Sequence, residues 1–594
     1  MRQSALAALC ALTTLLPAAA SQAAAAKPTL TTLAEQSGYK RTGRYEEVER
    51  LCAAFQQAWP SQVRCFEFGR SPENRPMLAL AASADGTLDA AAAHGKQRPV
   101  VLMQGGIHSG EIDGKDAGFL ALREMLEGRA AKGALEHATF VFVPVFSVDG
   151  HERFGRWNRP NQVGPEEMGW RTTAQNLNLN RDYTKADAPE MQAMLRLLGE
   201  WDPVLYVDLH VTDGAQFEHD ISYNVMPTLA GDAELVRNAV ALRDELMRKA
   251  TALGSLPLDF YPSFVREDDP QSGFADEISP ARFSQAYWAK HNRIGVLVET
   301  HSWKNYPTRV RITRNSIIGM MELAAIHGDE WLKAAQAADQ RAAQIGGSSV
   351  ALVYDNTDHV KMVDFRGYEY VREPSAISGA LMTRYNNKRP QIWHIPLKDQ
   401  VKPAVSVAAP RGGYIIPAAY AGWMQQKLSL HGIETHRIES AQSQAAVQTF
   451  RATKATSAPA TFEGRTAMTV EGDWKHEQRD IPAGSLFVPI AQANSYLAMT
   501  LLEPKDPDSF LSWGFFNAAF ERKEYMEAYV AEAVAEDMLE KDPAVKQEFE
   551  RKLAQDPAFA QDPMARLDFF YRKHPAWDEQ LNLYPVYRTE SVLR

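Results

Sequence analysis

The chain has 594 residues, and its 64 Lys and Arg stand against 74 Asp and Glu, a net charge of −10. At 45% hydrophobic and 23% charged residues it has core material for two or three domains. An acidic chain without a long basic run argues against nucleic acid or an anionic membrane as partner, and leaves a peptide or small molecule as substrate.

Arg2 is the only charge before Lys27, and an apolar run from Ala5 to Leu16 follows it, then Pro17 and the small residues Ala18 to Ala26. This pattern predicts a secretory signal peptide over residues 1–26, cleaved between Ala20 and Ala26, and hence a secreted or periplasmic protein. The apolar part is about 12 residues, short of the ~20 that a membrane-spanning helix needs, so no stable membrane insertion is expected after cleavage. Cys10 leaves with the signal. Cys52 and Cys65 remain, between a predicted helix (Tyr45 to Trp59) and a predicted strand (Gln62 to Phe68). An exported chain can join them in a disulfide; the spacing alone equally allows two buried thiols.

Residues 27–345 alternate strand-like and helical stretches. Pro99 to Met103, Thr139 to Phe146, Val204 to Leu209 and Ile294 to Val298 are short, apolar and rich in β-branched residues. Glu111 to Leu126, Pro189 to Gly199 and Asp232 to Leu253 carry helical periodicity. Buried strands separated by helices predict an α/β sheet covered on both faces, with functional residues at strand ends. The character changes near residue 345. Residues 346–510 read as a mixed α/β accessory region with shorter strands, and Ser440 to Thr461 reads as a loop or linker. Residues 511–594 read as a helical region with solvated charged faces.

The chemical signal lies in Gln104-Gly105-Gly106-Ile107-His108-Ser109-Gly110-Glu111. His108 and Glu111 follow an apolar strand and a double glycine and stand at the start of a helix. Three residues apart there, an imidazole and a carboxylate can meet one cation, and both suit zinc. His210 ends the strand from Val204 and supplies a third ligand; two His and one Glu leave a position open for water, the pattern of a catalytic zinc. Asp208 shares a strand face with His210 and can orient it from behind, or cap the sheet. Glu299 ends the strand from Ile294. A carboxylate there is costly unless it faces a polar cleft, where it can serve as general base.

With these residues in place, the stretch from about residue 38 to 325 resembles the zinc carboxypeptidase family, the metallocarboxypeptidases of the funnelin type. Gly69-Arg70-Ser71-Pro72-Glu73-Asn74-Arg75 looks like the family's G-x-S-x-x-x-R turn, Val148-Asp149-Gly150 its P-D-G turn, and Asn180-Arg181 its N-R pair. The resemblance implies a mixed central sheet flanked by helices. It implies one Zn²⁺ on His108, Glu111 and His210, and Glu299 as general base and then proton donor. Asn180 and Arg181 would hold a substrate carboxylate, a task that suits the planar fork of arginine. An arginine should also stabilise the oxyanion: Arg159 is the choice, with Arg156 and Arg171 as rivals. The family's tyrosine is assigned to Tyr287. Asn178 stands where the family often has an Asp behind the first His. Asp208-Leu209-His210 is also similar to the related N-acyl-amino-acid deacylases.

The leading expectation is therefore a metallocarboxypeptidase. The alternative is a zinc amidohydrolase that deacylates N-acyl amino acids or trims cell-wall peptides. A non-catalytic binding protein is the third. Neither a G-x-S-x-G elbow nor a phosphate-binding G-x-x-x-x-G-K-[ST] loop occurs.

Overall fold

The computed structural model describes residues 29–593. The expected signal peptide and Cys10 lie outside the described residues. In chain order the first strands are β1 (Val63–Arg70), β2 (Pro76–Ala82), β3 (Val100–Gly105), β4 (Thr139–Val143), β5 (Leu205–Thr212), β6 (Ile221–Met226), β7 (Pro257–Leu258), the short β8 (Phe274–Ala275) and β9 (Ile294–His301). All but β8 form one eight-stranded sheet in the order β1-β2-β4-β3-β5-β9-β6-β7. Its centre, β4-β3-β5-β9, is parallel; β1 and β2 pair antiparallel with their neighbours, and β6 runs antiparallel to β9 and parallel to β7. The sheet is thus mixed, as the fold expectation has it.

The composition of the strands explains the layering. Every residue of β3, β4, β5 and β9 is buried, which requires helices on both faces. One such helix is Asp113–Leu126; beside it lies a 37-residue helix, Tyr306–Ala342. These two are clamped at the sheet end by a fully buried ion pair, Arg309 Nε to Asp113 Oδ2 at 2.8 Å. Thr300 of β9 donates to the same carboxylate at 3.1 Å.

Helix Tyr45–Ala58 carries Cys52, and Cys65 lies in β1; their sulfurs are joined in a disulfide, with Cα atoms 5.4 Å apart. Closing a loop of this size contributes on the order of 3 kcal/mol. The G-x-S-x-x-x-R turn after β1 is tied to the Val148-Asp149-Gly150 turn. Asp149, wholly buried, accepts from Ser71 Oγ at 2.7 Å, from the Glu73 amide at 3.0 Å and from Arg75 Nη1 at 2.6 Å.

Beyond the long helix the strands are β10 (Ser349–Asn356), β11 (Lys361–Pro374), β12 (Leu381–Lys398), β13 (Val401–Ala408), β14 (Gly413–Ile416), β15 (His436–Arg437), β16 (Gln442–Ser457), β17 (Met468–Ile481) and β18 (Leu486–Pro489). The β11–β12 hairpin stands on the first region: β12 pairs with β8, Leu397 opposite Phe274. Ser440 to Thr461, expected to be a loop or linker, is mostly β16, antiparallel to β17. Only four of its sixteen positions, Val447, Thr449, Phe450 and Ala452, are buried, so it lacks the apolar alternation that marks a half-buried strand in sequence.

The last region is helical as expected, from Ala528 to Tyr571. Asp542-Pro543, Asp556-Pro557 and Asp562-Pro563 each start a helix. The Asp side chain accepts from the first turn and Pro takes the first helical position. The chain then returns as β19 (Tyr587–Thr589), which pairs with β14 and β16 inside the accessory sheet. Among the described residues no helix is long and apolar enough to cross a membrane.

Candidate active site

The central parallel strands end at a cleft of about 330 Å³. After β3 the chain turns at Gly106, which has φ +63°, a left-handed conformation that disfavours any side chain. The turn is held by Phe146 and Ser147, whose amides donate to Gly105 O and Gly106 O at 2.9 and 3.0 Å. This puts His108 and Glu111 just before helix Asp113–Leu126. His210 is on β5, and in the parallel register it lies directly beside Glu299 on β9.

Donor atoms of His108, Glu111 and His210 all lie within 4.8 Å of one another, and all three residues are buried. His108 Nδ1 is 3.0 Å from Glu111 Oε1, and His210 Nδ1 is 2.9 Å from Oε2. The far nitrogen of each ring is also backed: His108 Nε2 lies 3.0 Å from Asn178 Oδ1, and His210 Nε2 lies 2.8 Å from Asp208 Oδ2. Each imidazole therefore presents Nδ1 inward; His108 is oriented from behind by a hydrogen bond, the arrangement metal-binding histidines use, and His210 has the Asp208 carboxylate at ion-pair distance without a directed bond. Two nitrogens and a carboxylate oxygen, converging and buried, fit a zinc ion.

The electrostatics divide the four residues: Glu111 and His108 are held in the forms that bind a metal, whereas His210 and Glu299 are held towards their protonated forms. Burial pushes the Glu111 carboxyl up, but Arg159, His108 and the bonds from both histidines outweigh it and hold it well below the usual range. Burial depresses His108 to about 4, so its ring is neutral at pH 7. Burial likewise opposes charge on His210, but Asp208 and Glu299 reverse this and raise it well above the usual range. Burial drives Glu299 up to about 8, with Glu111 adding and His210 opposing. Its Oε2 is buried without a hydrogen-bond partner.

Asn180 and Arg181 line the cleft. Asn180 Oδ1 accepts from the Ser284 amide at 3.1 Å. Arg181 lies over the Phe283 ring, its guanidinium carbon 4.3 Å from the centroid, and has no carboxylate within 4.0 Å among the described residues. It is a partly buried cation facing a cavity, with capacity for an anionic ligand.

Two expected residues are not where the sequence reading assigned them. Arg159 does not line the cleft: it is buried behind Glu111, Nη2 at 3.0 Å from Oε1 and 3.3 Å from Asp213. Its stem passes over Gly110, where a Cβ would come within 2.4 Å of Arg159 Cγ. Arg171 does line the cleft, half open to solvent, with Nη1 at 3.5 Å from Glu111 Oε1. Arg156 instead borders a separate surface hollow with Trp157. Tyr287 is buried on the wrong side. Phe283 and Gln285 of its segment face the cleft, and two residues beyond Gln285 is about 200° round a helix. The Tyr287 hydroxyl lies 2.8 Å from His431 Nδ1 in the accessory region.

The tyrosine that does line the cleft is Tyr261, whose hydroxyl accepts from Thr212 Oγ1 at 3.3 Å. The sequence reading missed it because Phe260-Tyr261-Pro262-Ser263 carries no strand or helix period, only a Pro-marked loop. Asp213 and Asp276 line the same cavity. Asp276 is pushed up to about 7 by burial and by Asp259.

Residues 48–255 match the sequence model of the zinc carboxypeptidase family, which identifies that stretch as zinc carboxypeptidase-like. It includes His108, Glu111, Arg171, Asn180, Arg181 and His210 and stops short of Glu299. No curated protein matches the chain. Solved structures similar to it include a metallo-carboxypeptidase from Burkholderia cenocepacia, 15% identical, covering 47% of this chain and 69% of its own, with a TM-score of 0.34. Carboxypeptidase A from Helicoverpa armigera is 17% identical over 50% of this chain and 74% of its own, TM-score 0.34. A Pseudomonas aeruginosa metallo-carboxypeptidase, solved with (2-guanidinoethylmercapto)succinic acid, is 15% identical over 48% and 70%, TM-score 0.34.

Proposed function

We propose that the chain is a zinc-dependent peptide hydrolase that releases the C-terminal residue of its substrate, with one zinc held by His108, Glu111 and His210. The observation that carries this reading is the convergence of those three donors with Glu299 on the adjacent strand and Arg181 in the same cavity. A zinc ion there supplies Lewis-acid polarisation of the scissile carbonyl and makes water a stronger acid.

The protein groups then have definite tasks. Arg181 and Asn180 hold the terminal carboxylate, so the bond presented to the ligand cluster is the last one. Glu299, on β9 beside His210, would be favoured in its ionised form by a bound dication, against the burial that raises it to about 8; it then accepts the proton of the attacking water and returns it to the leaving amine. Arg171, on the cleft wall beside Glu111, takes the oxyanion role in place of Arg159, since its guanidinium reaches open cavity. Arg159 holds Glu111 ionised. Asn178 and Asp208 fix the two imidazoles.

The Cys52–Cys65 disulfide agrees with an exported, secreted or periplasmic protein. In a periplasm, cell-wall peptides join ordinary peptides as substrates.

Glu299→Gln tests the mechanism. Zinc content should be retained while kcat falls about 10³-fold, within the 10²–10⁴ that a general base supplies. Peptidase activity surviving that change would sink the assignment. A panel of peptides and N-acyl amino acids, read for C-terminal release against deacylation, separates the carboxypeptidase from the amidohydrolase. Exclusive deacylation would decide for the latter, and zinc binding without turnover of either class would leave a binding protein.

A further inference from the structure

The turn between β16 and β17 reaches the segment that lies behind the cleft, at Asn178. Phe462 and Arg465 exchange both backbone hydrogen bonds, at 2.8 and 3.1 Å, around Glu463 and Gly464. Both central residues have positive φ, +49° and +77°, a two-residue turn of the type that closes hairpins. Glycine suits that conformation; glutamate does not. A non-glycine residue held there points to a use for its side chain.

That side chain makes one directed contact. Glu463 Oε2 accepts from the Asn178 backbone amide at 3.0 Å, across 285 residues of sequence. Asn178 is the residue whose Oδ1 stands 3.0 Å behind His108 Nε2, and the same oxygen accepts from the Asn180 amide at 3.0 Å. One residue further is Arg181. The carboxylate of Glu463 thus grips the segment that orients the first metal-binding imidazole and carries both carboxylate-binding side chains. The flanks of the turn fix its approach. Arg465 binds Asp187 through two nitrogens, at 2.6 and 2.8 Å, and Phe462 stacks on Trp513 with centroids 6.0 Å apart.

We propose that Glu463 of the accessory region is a positioning residue for the catalytic centre: it holds Asn178 so that His108 and the Asn180–Arg181 pair keep their productive geometry. The inference rests on reading His108 as a zinc ligand. It makes the accessory sheet part of the active site's support.

The test uses the full chain with three variants. Glu463→Gly removes the carboxylate and suits the positive φ, so it folds; Glu463→Ala removes it without that relief; Glu463→Gln keeps an oxygen acceptor. Zinc affinity is read on metal-free protein by competition with a chromogenic chelator, and KM and kcat on a peptide substrate. Glu463→Gly and Glu463→Ala should bind zinc about tenfold more weakly, the low end of what loss of a ligand's outer support costs. Their KM should rise about fivefold with a smaller change in kcat, because Glu299 is untouched. Glu463→Gln should stay within about twofold of the parent in both. Unchanged zinc affinity in Glu463→Gly overturns the inference while leaving the hydrolase reading intact. So does a Glu463→Gln variant as impaired as Glu463→Gly. A parent protein that binds no zinc at all would overturn the metal site itself.

Discussion

The floor and the wall of the cleft are built by different means. The floor consists of His108, Glu111, His210 and Glu299, each within a few residues of the end of a buried central strand. Their convergence follows from strand order and register together with the turn at Gly106. The wall consists of Arg171, Asn180, Arg181 and Tyr261, with Asn178 behind it, on loops without regular structure of their own beyond one short turn of helix. Those loops hold their shape because distant segments press on them: Glu463 on Asn178, Lys427 and Arg465 on Asp187, and Asp508 on Arg282. The sheet positions the floor, and the accessory region braces the segments behind the wall.

The strongest way to break this comparison is to exchange the roles of the two arginines. Arg171→Ala should lower kcat about 10²-fold or more with zinc content unchanged, as loss of an oxyanion donor does. Arg159→Ala should instead weaken zinc binding, since it strips Glu111 of its nearest cation. Equal loss of kcat from Arg159→Ala at full zinc occupancy would return the oxyanion role to Arg159.

A second measurement concerns the buttress. Asp506 is buried, accepts from the Asp508 amide at 2.8 Å, and is raised from 3.8 to about 7 by burial, with Asp508 adding. Between those two pH values the folded state keeps a proton that the unfolded state has lost. Stability from this group is therefore full below about pH 4 and falls as pH rises towards 7. Asp506→Asn should remove that slope, so between pH 5 and 8 the variant gains on the parent by about 2 kcal/mol. Parallel unfolding curves at the two pH values would contradict it.

The smallest effect separates the two tyrosines. Tyr261→Phe should change KM by about two- to fivefold, the worth of one neutral hydrogen bond. Tyr287→Phe should cost about 1 kcal/mol of stability through loss of its bond to His431, with KM unmoved. The reverse pattern would restore Tyr287 to the cleft.

The same division explains what could be read from sequence. Every floor residue announces itself, because an apolar β-branched run followed by a His or Glu is a local pattern, and the double glycine marks the turn. The G-x-S-x-x-x-R and V-D-G motifs were equally visible, yet they meet each other through Asp149 and line no part of the cleft. The wall was read through Asn180-Arg181, with Arg171 only as a rival to Arg159. Choosing among Arg156, Arg159 and Arg171 requires knowing which side of Glu111 each chain segment passes, and Tyr261 sits in a loop without period. Glu463 was hidden twice: its contact spans 285 residues, and its hairpin exposes both faces along most of its length, so its sequence resembles a linker.

The 458–467 turn also bears on where this protein can be divided. Composition places a border near residue 345, and a chain ended there would retain His108, Glu111, His210 and Glu299. It would nevertheless leave Asp187 without Lys427 and Arg465 and Thr184 without the Trp513 indole, and would free the Asn178 amide. The two regions are therefore not interchangeable modules; a different partner grafted at that border would inherit the clustered side chains without the contacts that brace the segment from Asn178 to Asp187.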